Sequence, residues 1–264
     1  MVLTRSFVRA KRPCTDGFRW FVRQFDEGGN YQDLLDRMVA AGRAGDACWL
    51  LEQFGPTNEV RQVDAIEADA IVFAGTLQVR GGVDVLGKVH VGRTLQAGGG
   101  VCVGGDLIVG DDLRVDGNVR GDGRIDIGGD ARVGWGLESQ GELRCGGELR
   151  AGWDLRCGAR LRLEGNAFVG LDVRTAGDLR CTKGLQLGGD LCAEANLRVD
   201  HGIVAGGSVC GALHLEVGWG ICAGGEVRAA GAIRAGESIQ AGKRIRAGEG
   251  YGVFAGLDVQ VEAW

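Results

Sequence analysis

From Ile71 onward an apolar residue, aliphatic at every place but Tyr251, returns at every sixth position, through Leu77, Val83, Val89, Leu95 and Val101, and on without insertion to Ile239, Ile245, Tyr251 and Leu257. Neither a helix nor an ordinary hairpin sheet has that period, so the repeat narrows the fold to a stack of short equivalent units. Two places after each leader comes a second apolar or small residue, such as Val109, Val115, Ile127, Cys145 or Leu163, and the residue between is often Arg. Alternation over three residues marks a short strand with two side chains turned inward and one outward. Gly follows three or four places after the leader, in "VGG", "CGG" and "LGG", where its freedom at positive φ predicts a sharp corner. Each unit is then one side of a triangle, and three sides close a coil of about 18 residues. The expected fold is mainly β: a triangular parallel β-helix, or β-solenoid, over residues 63–264, preceded by a small N-terminal α-helical cap over residues 1–62.

The first 62 residues lack the repeat. In "TDGFRWFVRQF", Phe18, Phe21, Val22 and Phe25 fall on one helix face. "NYQDLLDRMVAAGR" offers Asn30 as an N-cap ahead of Leu34, Leu35, Met38 and Val39, and "GDACWLLEQFGP" offers Asp46 as a cap and Gly55-Pro56 as a stop. Three short helices are predicted, placed to cover one end of the coil, whose unpaired edges would otherwise invite pairing. At the other end "LDVQVEAW" leaves the six-residue period, and a closing strand with Trp264 over the end is expected.

Fifty glycines with only two prolines and no Gly-X-Y period exclude collagen, and 45% hydrophobic content excludes a disordered linker. A net charge of −5 and a pI of about 5.3 argue against a nucleic-acid partner. There is no run of about 18 apolar residues and "MVLTRSFVRAKRPC" lacks the pattern of a signal peptide, so a cytoplasmic protein without a membrane partner is expected. The nine cysteines show no CxxC pair; most are read as small core residues, with no metal and no cofactor implied.

Residues one coil apart stack into columns that can be read from the sequence. Arg144, Arg162, Arg180 and Arg198 form one outward column, followed by Glu216 and Arg234. Beside it run Glu142, Arg160, Asp178 and Asn196 on one side and Gly146, Glu164, Thr182 and Asp200 on the other. Such a column is either a solvated charge ladder or an Arg stripe for an acidic or phosphate-bearing partner, to which the guanidinium fork is suited. Trp135, Trp153 and Leu171 form a second column at a corner, and His201 and Trp219 a third. Corner indoles either fold back over Gly-rich neighbours or form a binding hot spot. Cys192 and Cys210 also stack and are expected to be free thiols.

Six-residue sides also occur in hexapeptide acyltransferases. There the small residue precedes the leader, whereas here it follows, and His90, His201 and His214 occupy different slots with no carboxylate at a supporting spacing, so no catalytic residue and no enzyme are predicted. The register of "LRVDGN", "LRCGGE" and "LQLGGD" over residues 71–257 resembles the bactofilins, polymer-forming bacterial β-helix proteins, which implies a right-handed coil. The present repeat is longer than theirs and carries a helical cap. Over the whole chain, "CTDGFRWF", "DACWLLEQFGP" and "GGEVRAAGAIRAGESIQAGKRIRAGEG" resemble immunity proteins paired with type VI secreted effectors of the phospholipase D type. That resemblance implies a non-enzymatic protein, monomeric or a small homo-oligomer. Its partner would be a protein toxin, met through the Trp column and the Arg stripe. The bactofilin resemblance implies instead a scaffold assembling through its ends.

Overall fold

The computed structural model describes residues 2–25 and 29–256. Four helices open the chain: α1 (Arg5–Ala10), α2 (Thr15–Gln24), α3 (Tyr31–Ala40) and α4 (Ala44–Phe54). The helix not foreseen is α1, which Thr4 caps by accepting from the backbone N of Phe7. Phe21, Phe25, Leu34, Leu35 and Met38 are buried with Tyr31, Leu50 and Leu51 in a core separate from that of the repeats. Asn30 caps α3 as its position suggested, accepting from the backbone N of Gln32 and Asp33. Asp46 does not cap α4. Arg43 holds the cap position, and its guanidinium lies 2.8 Å from Asp16 and against Asp46, so the carboxylate serves an ion pair instead. Gly55, at φ 76°, takes the left-handed conformation that ends α4.

The solenoid begins at Val60, ahead of the expected boundary. The chain visits three faces in turn, each an 11-stranded parallel sheet among the described residues. Face I runs from Val60–Val63 to Ile239–Ala241, face II from Ile66–Ala68 to Ile245–Arg246, and face III from Ile71–Phe73 to Val253–Ala255. Strands meet in register: Leu143 pairs with Leu161 and Arg144 with Arg162, eighteen places on. Between the two ends of the rod a strand buries its first and third residues and turns the second outward, as in Leu155–Cys157; under the helices the middle residues Val72 and His90 are buried as well. The leaders form one continuous core, where full burial of a Leu is worth about 2 kcal/mol.

Two corner rules complete the coil. In the solenoid only Gly250 and Gly256 have positive φ among the described residues, so the corner glycines are not there for left-handed backbone. They are there for room: a Cβ on Gly152 would land on the carbonyl of Gly134, and one on Gly170 on that of Gly152. The residue before a strand forms the second rule. Asp112 accepts from the backbone N of Asp130 at 3.0 Å, and Asp130 in turn from Glu148 at 2.8 Å. The same stitch joins Asp154 to Asp172 at 3.2 Å and Asp172 to Asp190 at 2.9 Å. Each satisfies a corner amide that the sheets leave unpaired, worth about 1 kcal/mol net.

The cysteines divide differently from expectation. Cys145, Cys157 and Cys181 are buried, but Cys14, Cys102 and Cys222 are exposed and Cys48, Cys192 and Cys210 lie between. The buried ones sit at the third strand position and donate to a corner carbonyl of the coil below, Cys157 to Gly141 at 3.3 Å. Ser139 and Thr175 do the same in the coils on either side, so this position selects small donors rather than hydrophobicity alone.

The period ends before Leu257. Ile233 pairs with Val253, two places beyond the expected Tyr251, which lies outside any strand after a turn through Gly250. Leu257 and the proposed closing segment with Trp264 lie outside the described residues.

At the N-terminal end α3 and α4 pack on Ile71–Phe73, burying Val72 and Ala74. Gln32 donates through Nε2 to the carbonyl of Val72 at 3.1 Å and accepts through Oε1 from the N of Ala74 at 2.9 Å. Those are the edge groups that a preceding strand would pair, so one side-chain amide stands in for a missing peptide. The helices also cover His90, one coil further along face III, which is 7% exposed with Nδ1 unpartnered. Burial pushes the His90 pKa down, with Lys88 and Arg124 adding to the shift and Glu52 and Asp126 opposing it. A lowered folded-state pKa means that below about 6.5 the unfolded chain takes up the proton first. Thermal stability should therefore fall between pH 7.5 and 5.5, and His90→Leu should flatten that part of the profile; an unchanged slope in the variant would assign the loss to other groups.

Candidate functional site

The outward position of face III carries the Arg column. Arg144, Arg162, Arg180 and Arg198 follow one another on adjacent strands, with Asp126 one coil before Arg144 and Glu216 one coil after Arg198. Arg198 is neutralised by Asp200 at 3.2 Å and Glu216 at 3.7 Å. Arg144, Arg162 and Arg180 have no ionic partner among the described residues. At strand spacing each adjacent pair repels by about 0.9 kcal/mol even in water.

Several Arg elsewhere are paired locally, while Arg132 on face I and the stacked Arg228 and Arg246 on face II form no ion pair among the described residues. Arg114 meets Asp112 at 3.0 Å, Arg156 meets Asp154 at 3.0 Å and Arg174 meets Asp172 at 2.9 Å, each two residues away. Exposed pairs of this kind contribute only about 0–1 kcal/mol, and they are the solvated ladder that the sequence left open as one reading. The column on face III departs from it. Toward the C-terminal end the column runs into a recess of about 700 Å³ lined by Arg198, Asp200, Glu216, Arg234 and Phe254.

The aromatic columns lie on other edges of the rod. Trp135 and Trp153 stack with centroids 5.3 Å apart and planes 9° apart, with Leu171 in the next coil, at the corner between faces I and II. All three are about half exposed, at 48%, 53% and 50%. His201 and Trp219 stack at 4.3 Å with planes 2° apart, at the corner between faces III and I. In a triangle the first corner is opposite face III, so the structure separates the Trp column from the Arg stripe. It brings the two aromatic columns together as the two borders of face I.

Along the middle of face I the sequence reading passed over Phe168, Val204 and Cys222. Arg150 lies over the Phe168 ring at 5.0 Å, Val204 is half exposed, and Cys222 is exposed. Their signal was present as an uncharged outward column, Phe168, Gln186, Val204, Cys222 and Gln240, in a chain that is 25% charged.

The three histidines have three different settings: His90 under the helices, His201 against Trp219, and His214 accepting through Nδ1 from the N of Ala232 at 3.1 Å. Among the described residues no group of three or more His, Cys, Asp or Glu is placed to hold a metal ion, and no helix is long and apolar enough to cross a membrane. Cys192 and Cys210 face each other across adjacent strands of face II, both free; burial and the neighbouring thiol push Cys192 up to about 11.

The molecule is thus a parallel β-solenoid with a helical N-terminal unit docked on one edge, a class whose long faces suit structural or binding roles. Its residues 1–55 match the family model of the YdhT N-terminal domain, a span that takes in all four helices and stops short of the first repeat. No curated protein and no solved structure matches the chain.

Proposed function

We propose that this protein is a non-enzymatic immunity protein. It binds and neutralises a secreted antibacterial effector of the phospholipase D type in the cytoplasm, with face III as the contact. The observation that carries the reading is the run of unpaired guanidiniums at Arg144, Arg162 and Arg180, held in register on face III at a cost in repulsion. A rigid row of forked donors suits an acidic protein surface, and the resemblance of the chain to immunity proteins supplies the kind of partner. Arg198, already paired, forms the border between the row and the recess beyond it.

Titration of a phospholipase D-type effector against the wild-type chain and against R144E/R162E/R180E tests this. Reversal should weaken binding at least tenfold while the circular dichroism spectrum stays unchanged. Equal affinity of the two would remove face III, and absence of binding by the wild type would remove the immunity reading.

One observation favours the scaffold reading. On the edge of face III the helices supply hydrogen bonds in place of a strand, whereas among the described residues no strand precedes the first strands of faces I and II, which with α3 line a recess of about 710 Å³ around Val39, Val63, Ile66 and Leu77. A rod end seated there would build a filament, recognised by a mass that grows with concentration.

A further inference from the structure

We infer that face I is a self-association surface, on which a second copy of this chain packs in parallel about a two-fold axis along the rod. Such an axis sets coil against equal coil. It turns the corner before each face I strand of one copy toward the corner after that strand in the other. The corner residues are complementary in size under this operation: the glycines, which the stacking of the single rod itself requires, lie opposite large side chains, which it does not require. Trp153 follows the strand Leu149–Ala151 and Gly147 precedes it; Leu171 follows Ala167–Val169 and Gly165 precedes it. Further along the order inverts: His201 precedes Ile203–Ala205 and Gly207 follows, while Trp219 precedes Ile221–Ala223 and Gly225 follows. In every one of these coils a large side chain of one copy meets a glycine of the other.

One of the remaining coils matches by charge. Glu237 and Lys243 lie two places before and two places after Ile239–Ala241, and neither has an ionic partner among the described residues; at Leu185–Leu187 the equivalent places hold Lys183 and Gly189. Across the axis Glu237 meets Lys243, twice, and Lys183 meets Gly189. On the axis itself Phe168, Gln186, Val204, Cys222 and Gln240 meet their own copies without charge, and Arg150, paired with Glu148 and lying over the Phe168 ring, meets its own copy at the end of the contact. The contact ends before Arg132, which, unlike Arg150, has no ionic partner among the described residues and would meet its own copy unneutralised; Trp135 backs Trp153 from outside. Six coils at about 4.8 Å by a side of about 18 Å give roughly 500 Å² per copy, near the lower limit of a specific, reversible interface. Aromatic enrichment and depletion of charge at the centre are the composition expected of one. Face III stays open, so the inference stands independently of the effector.

Light scattering on the full-length chain alone, over micromolar to millimolar concentration, should give twice the 27.7 kDa chain mass at the upper end. E237K and K243E should each weaken the dimer about tenfold, and E237K/K243E should restore it. The two residues lie at opposite borders of one coil, so only contact between copies can rescue. A short bismaleimide should join two wild-type chains, and Cys222→Ser should abolish that product. A single-chain mass throughout, a double variant no better than the singles, or cross-linking that survives Cys222→Ser would each overturn the arrangement.

Discussion

Leu161→Asp is expected to destabilise the rod by more than about 4 kcal/mol and to open it locally rather than unfold the whole chain. Leu161 is 0% exposed, stacked between Leu143 and Leu179 in the core of face III. A carboxylate there has neither water nor a cation, and removal of the Leu side chain alone costs about 2–5 kcal/mol. In a solenoid each coil contacts only its neighbours, so the damage should spread by nearest-neighbour coupling and fade with distance. Limited proteolysis read by mass spectrometry should find new cuts between residues 143 and 181, while the helical core around Leu34 and Leu50 stays protected. A melting profile equal to that of the wild type would contradict the inward assignment of the leaders.

Gln32→Leu is expected to loosen the helical unit by about 3 kcal/mol, because it leaves the carbonyl of Val72 and the amide of Ala74 buried without partners at about 1–3 kcal/mol each. The leucine fits the space, so the loss reports the two hydrogen bonds rather than a cavity. Hydrogen exchange at the Ala74 amide should accelerate strongly. Gln32→Glu should fall between wild type and Leu, since it can still accept from Ala74 but cannot donate to Val72, and it would face Asp36, whose Oδ1 now accepts from Gln32 at 2.8 Å. Exchange at Ala74 unchanged in Gln32→Leu would mean that the edge is closed by something else.

Most of the solenoid was legible because one period governs it. Leu143, Leu161 and Leu179 are recognisable as a column before any coordinates, and so are Trp135 with Trp153 and Arg144 with Arg162. The split between the Trp and Arg columns was legible too, since Trp135 and Arg144 belong to sides two steps apart, but it requires the sides to be followed around the triangle. The corner glycines were recognised as corners for the wrong physical cause: close approach of stacked carbonyls, not positive φ, excludes the Cβ at Gly152. Gln32 could not be read at all. It is one polar residue on an amphipathic helix, and its partners lie 40 and 42 residues away. The cysteines misled because burial was inferred from residue type, whereas position in the strand decides it: third-position Cys157 is inside and middle-position Cys222 is outside.

The most direct test of the central claim is the mass of the purified chain mixed with a phospholipase D-type effector, measured by light scattering across a sizing column. A stable species containing both proteins, with two copies of each where face I is engaged, is the predicted result. R144E/R162E/R180E should lose the effector from that species while keeping the pair of solenoids. An effector that elutes at its own mass beside an unaltered solenoid would contradict the account.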